Sequence, residues 1–86
     1  MNELKYEGLT VAERVVVYFQ LARDATLMRT YAEMLTAALA LIYLLQDAEI
    51  DRQETAERLR VEAHRCSITD AAVMSAIENL AKGGER

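Results

Sequence analysis

From Leu9 to Lys82 the chain contains neither proline nor glycine. Those two residues supply the tight turns and chain breaks on which strand-and-turn architectures depend. A long interval without either leaves helices joined by polar caps, so the expected fold class is all-α. The three glycines, Gly8, Gly83 and Gly84, lie outside that interval and mark its ends. With 86 residues the chain is one domain, 1–86. Its 52% of hydrophobic residues exclude a disordered chain.

The strongest pattern is the stretch 27–50, LMRTYAEMLTAALALIYLLQDAEI. Met28, Tyr31, Leu35, Ala38, Ile42 and Leu45 alternate steps of three and four, which lines them up on one seam of a helix. Leu27, Met34 and Leu41 widen that seam, and Arg29, Glu33, Thr36 and Asp47 occupy the far side. Between Ala37 and Leu45 every residue is apolar, so Ala40, Tyr43 and Leu44 carry apolar surface to the far side as well. The all-apolar run is shorter than the ~20 residues of a membrane span and reads as a core helix. An unbroken helix over 27–50 is about 36 Å long. A compact chain of this length has a radius of gyration of only ~12 Å. Such a helix needs either an elongated molecule or a second copy to cover it. Ala37, Ala40, Tyr43 and Leu44 are the expected self-association surface.

The flanking segments read as three shorter helices. Residues 1–8 form an arm. Thr10 and Glu13 then make a capping box ahead of a helix over about 11–23, with Val11, Val15, Tyr18, Phe19 and Ala22 on its buried face. Val15 to Phe19 are five strand-favouring residues in succession. The preceding cap and the lack of a pairing strand favour helix. A break falls at 24–26, where Asp24 or Thr26 can cap the central helix. Asp51 and Glu54 open a third helix over about 52–65 with the stripe Ala56, Leu59, Ala63 and Cys66. Glu54–Arg58 and Arg58–Glu62 stand at ion-pair spacing on it. Ser67 or Asp70 caps a fourth helix with Val73, Ile77 and Leu80 as its stripe, Met74 and Ala76 beside it, and Gly83 as its stop. Residues 83–86 form a frayed tail.

Charge and site chemistry narrow the functions. The formal net charge is −4, which opposes a broad nucleic-acid surface built from clustered Lys and Arg. Asp47, Glu49, Asp51, Glu54, Glu57 and Glu62 fall within sixteen positions and form a candidate acidic partner face. The single cysteine, Cys66, precludes an intramolecular disulfide and fits a reducing compartment. The opening MNELKYEG mixes charges without an apolar signal region, so a cytoplasmic setting is expected. His64 and Cys66 are two residues apart on one helix, point to different faces and cannot act as a dyad. No set of three or four ligands suggests zinc, and no glycine loop suggests a phosphate site. No catalytic residue, cofactor or metal is expected.

Two short stretches resemble known elements. Arg58-Leu-Arg-Val-Glu-Ala-His64 is similar to the R-x4–6-H element of the HEPN ribonucleases, helical bundles that pair to form one active site. The resemblance implies Arg58 and His64 as a catalytic pair. It covers seven residues, and Leu59 stands where that family usually has a polar side chain. The last third, from Glu54 through Thr69-Asp-Ala-Ala-Val-Met-Ser-Ala-Ile-Glu-Asn-Leu80 to Gly84, is similar to a helix-turn-helix with a stub of wing. That resemblance implies a transcriptional regulator. The would-be recognition helix, however, carries Asp70 and Glu78 and no basic residue before Lys82, whereas groove reading needs Arg, Lys, Asn or Gln at base edges.

The residues taken together predict a four-helix antiparallel bundle or helical hairpin with a long central second helix, paired as a dimer. The expected function is non-enzymatic protein binding: a small acidic adaptor, inhibitor or assembly factor that first binds itself. The helix-turn-helix regulator and the HEPN-like ribonuclease are the alternatives.

Overall fold

A computed structural model describes residues 8–83. Four helices follow one another: α1 (Val11–Arg23), α2 (Met28–Leu45), α3 (Arg52–Arg65) and α4 (Ala71–Ala81). There is no strand among the described residues. The arm at 1–7 and the tail at 84–86 lie outside them.

Each helix start has a local cause, with one exception. At α1 the Thr10 amide donates to Glu13 Oε1 at 2.9 Å and the Glu13 amide donates to Thr10 Oγ1 at 3.1 Å, a complete capping box. This nucleus draws the β-branched run Val15-Val16-Val17 into helix. Asp51 accepts from the Glu54 amide at 3.1 Å to open α3, and Asp70 accepts from the Val73 amide at 3.2 Å to open α4. The exception is α2. Its N-cap is Leu27, and neither Asp24 nor Thr26 caps it; no side chain bonds to its first amides. Asp24 instead ends α1, where its carboxylate accepts from the Arg23 guanidinium at 3.0 Å.

The central helix is shorter than the apolar stretch suggested. It stops at Leu45, and 46–50 turn away with only local bonds. The physical cause is Arg52, whose Nε and Nη2 both donate to the Gln46 carbonyl at 3.1 and 3.0 Å. That guanidinium satisfies the end of α2 and neutralises its negative pole. At 18 residues α2 is about 27 Å long. It fits inside a molecule of 37 × 30 × 19 Å with a radius of gyration of 12.5 Å, so the length argument for a second copy does not hold.

One core unites the four helices. α1 packs most extensively on α2, α3 packs on α4, and the two pairs join through α2 on α4 and α1 on α3. Phe19, Val15, Ile42, Leu59, Val73 and Leu80 are its largest fully enclosed side chains. Each contributes about 1.5–3 kcal/mol by leaving water. The stripe Ala56, Leu59, Ala63 and Cys66 is buried throughout, as are Val73, Ala76, Ile77 and Leu80. Val11, Tyr18, Tyr31, Met34, Leu41 and Met74 are half-buried against this core. Met28, expected on the seam, and Leu27, expected to flank it, are exposed instead.

Ile68 joins the core from the α3–α4 turn. The Ile68 amide donates to the Ala63 carbonyl at 2.8 Å and the Ser67 amide to the His64 carbonyl at 3.0 Å. This is a Schellman closure with Ser67 in the left-handed region at φ 58°. Gly83 takes the same left-handed conformation after α4, at φ 67°, and its amide donates to the Leu80 carbonyl at 3.0 Å.

Candidate functional site

Of the six large hydrophobic side chains exposed among the described residues, Leu27, Met28, Tyr43 and Leu44 lie on α2 or at its N-cap. Met28 is 79% exposed, Leu27 65%, Leu44 62% and Tyr43 53%. Ala40 is exposed between Tyr43 and Leu44, and Ala37 is half-buried at the edge of the face. Three of the four residues expected to mediate self-association therefore stand open on one side of α2, with the fourth beside them. Ala32 and Thr36 continue the open face toward the N-terminus as small residues. The face is nearly uncharged: Arg29 and Glu33 are its only ionised groups and pair with each other at 3.3 Å.

The inner side of α2 is fixed by Leu35, Ala38, Ile42 and Leu45 in the core. With ~100° between successive residues, this seam forces Ala32, Thr36, Ala40 and Tyr43 outward together. Where α2 meets the start of α4, a shallow cleft lined by Met28, Tyr31, Leu35 and Leu39 continues the apolar surface as far as Asp70.

The six acidic residues do not form one face. Asp51 is occupied as a cap. Glu57 pairs with Arg60, and Glu62 lies 3.7 Å from Arg65. These pairs at three-residue spacing replace the expected Glu54–Arg58 and Arg58–Glu62 pairs. Four arginines interleave with three glutamates along α3, so its outer surface is mixed in charge. Asp47, Glu49 and Glu54 remain exposed near the α2–α3 turn.

Arg58 and His64 are both exposed on α3. Six residues apart on one helix, they are rotated ~120° and separated by ~9 Å along the axis, so they do not converge within a chain. His64 faces solvent while Cys66 is buried at the helix end. No group of three or more His, Cys, Asp or Glu side chains with metal-binding placement occurs among the described residues. The Arg23 guanidinium, chiefly by its hydrogen bond, holds the Asp24 carboxyl below the usual carboxylate range, but this is a surface pair with no cleft around it. The exposed side of α4 presents Ala71, Ala72, Ser75, Glu78 and Asn79, with Lys82 at its end.

No family model, no curated protein and no solved structure matches the chain. What the molecule offers for function is therefore its own surface. By length and composition α2 is also apolar enough to cross a membrane. Its inner seam packs against α1 and α4, while Arg29 and Glu33 sit on its open side.

Sequence reasoning placed Arg29 and Thr36 on this outer side but did not count them in the self-association surface, because both are polar. The Thr36 hydroxyl donates to the Ala32 carbonyl at 2.9 Å, so its polar group is satisfied within the helix. The spacing of four between Ala32, Thr36 and Ala40 was the available signal.

Proposed function

We propose that the protein is a non-enzymatic protein-interaction module whose first partner is itself, an antiparallel four-helix bundle that dimerises through the outer face of α2. The observation that carries this reading is the exposure of Leu44 and Tyr43 beside Ala40 on a helix whose opposite seam is buried. A large side chain left wet forgoes about 1.5–3 kcal/mol, and contiguous exposed apolar surface commonly marks an interaction site. Adaptor, inhibitor or assembly factor are roles such a module fills. A single buried thiol suits a reducing, cytoplasmic setting.

Size exclusion with light scattering tests the reading. The unmodified chain is expected to approach the mass of two copies as concentration rises, and Leu44→Asp to return it to one copy with helical circular dichroism intact. A mass of one chain at every concentration overturns self-association. Ribonuclease activity abolished in both Arg58→Ala and His64→Ala variants that stay folded overturns the non-enzyme assignment. A sequence-selective, salt-sensitive gel shift promotes the helix-turn-helix alternative in its place.

A further inference from the structure

We infer that the turn between α2 and α3 is a hinge, and that straightening it fuses the two helices and exchanges α3 and α4 with a second copy of the chain. This inference is independent of the outer face of α2.

The four helices fall into two pairs. α1 packs chiefly on α2 and α3 on α4, and the run 46–51 is the one chain connection between the pairs. That run is Gln-Asp-Ala-Glu-Ile-Asp, without proline or glycine. Gln, Ala and Glu are good helix formers. Gln46 is already helical at φ −66° and ψ −25°, and Asp51 is extended at φ −76° and ψ 100°. Ser67 is the only non-glycine residue at positive φ among the described residues, so no part of 46–51 is held left-handed. The α3–α4 turn, by contrast, is closed by Ser67 and its Schellman bonds.

The bonds of the 46–51 turn are exchangeable. The amides of Gln46, Asp47 and Ala48 donate to carbonyls three residues back, and the Ile50 amide donates to Ala48. Such short closures have poorer geometry than the helical bond. Two side chains hold the turn shut: Arg52 on the Gln46 carbonyl and Asp51 on the Glu54 amide. In a continuous helix the Gln46 carbonyl accepts from the Ile50 amide, and the Glu54 amide donates to the Ile50 carbonyl. Each backbone group keeps a partner in either form.

An unbroken helix over 28–65 is about 57 Å long, beyond the 37 Å longest extent of the closed chain. Its two halves point apart, so the α2–α4 and α1–α3 contacts cannot close within one chain. A second copy straightened in the same way restores them, and the core of Phe19, Ile42, Leu59 and Leu80 is rebuilt between chains. Exchange requires that core to open. A chain kept folded therefore stays closed, and the exchanged pair forms on refolding at high concentration.

Cross-linking of the full chain tests the hinge. Leu44→Asp removes pairing through the outer face of α2, and Cys66→Ala removes the native thiol. Thr36→Cys and Ala72→Cys are then combined, since both positions are exposed and line one cleft between α2 and α4. A short bis-maleimide joins them within one chain in the closed form and between chains in the exchanged form. After heating and cooling at high micromolar concentration, denaturing gels are expected to show a two-chain product that falls away when the chain is refolded dilute. Asp51→Ala loosens the turn and is expected to raise that product about tenfold. Glu49→Pro is expected to abolish it, because proline breaks the straight helix while the Glu49 amide donates to no backbone carbonyl among the described residues. Glu49→Gly, which keeps the amide, is expected to lower it severalfold. A one-chain product alone at every refolding concentration, in Asp51→Ala as well, overturns the hinge. So does a two-chain product that Glu49→Pro and Glu49→Gly leave unchanged, or one that Thr36→Cys gives without Ala72→Cys.

Discussion

Ser67 holds the left-handed turn that closes α3, at φ 58°. For an L-residue that conformation costs roughly 1–2 kcal/mol, which glycine escapes in the folded state while losing more chain entropy on folding. Ser67→Gly is therefore expected to stabilise the protein by about 0.5–1 kcal/mol, seen as a rise of a few degrees in Tm. An unchanged or lower midpoint contradicts this account of the turn. Arg52 makes the opposite case. Its guanidinium is the only described side chain that bonds the Gln46 carbonyl, and both its bonds are charge-assisted and partly buried. Arg52→Met keeps the aliphatic stem and removes those bonds. It should destabilise the fold by about 1–2 kcal/mol in urea unfolding, whereas the exposed Arg58→Met should change it by less than about 0.5 kcal/mol.

At the scale of the helix, α2 is the one of the four whose first amides have no side-chain cap, and it carries exposed Met28, Tyr43 and Leu44. Leu27→Asp supplies the missing cap, so it should raise the stability of the single chain by about 1 kcal/mol. The same change puts a charge on the open apolar side of α2 and should weaken the dimer. Thermal melts at low concentration and sedimentation at high concentration separate the two effects; a change that stabilises both states removes Leu27 from the interface. The same helix shows where pattern reading stops. The stripes of α3 and α4 were legible because each is one apolar row at helical spacing with a cap ahead of it. The seam of α2 from Leu35 to Leu45 was legible for the same reason. The end of α2 was not, because the apolar run continues to Ile50 without proline or glycine while the stop is imposed from outside by Arg52. The exposure of Met28 and Leu27 was not either, since periodicity gives a face but not what packs against each end of it. On the outer face, Ala40, Tyr43 and Leu44 could be read from the all-apolar run. Thr36 could not, because its polar type hides that its hydroxyl is taken up by the Ala32 carbonyl.

For the whole molecule, the division of α2 into a buried seam and an open face is the central claim. Ile42 is fully enclosed and Leu44 is 62% exposed, two residues apart on the same helix. Ile42→Asp buries an unpaired carboxylate and should abolish the fold, seen as loss of helical circular dichroism and of any cooperative transition. Leu44→Asp should leave both intact. A membrane is the competing cover for the same face, and co-flotation of the unmodified chain with anionic or neutral vesicles, lost in Leu44→Asp, would assign the face to lipid instead of to a second copy. The measurement that bears most directly on the claim is the mass in solution by light scattering, from micromolar to several hundred micromolar chain. The account predicts a mass that climbs from one chain toward two for the unmodified protein and stays at one for Leu44→Asp. A mass of one chain across the whole range, for both proteins, would contradict it.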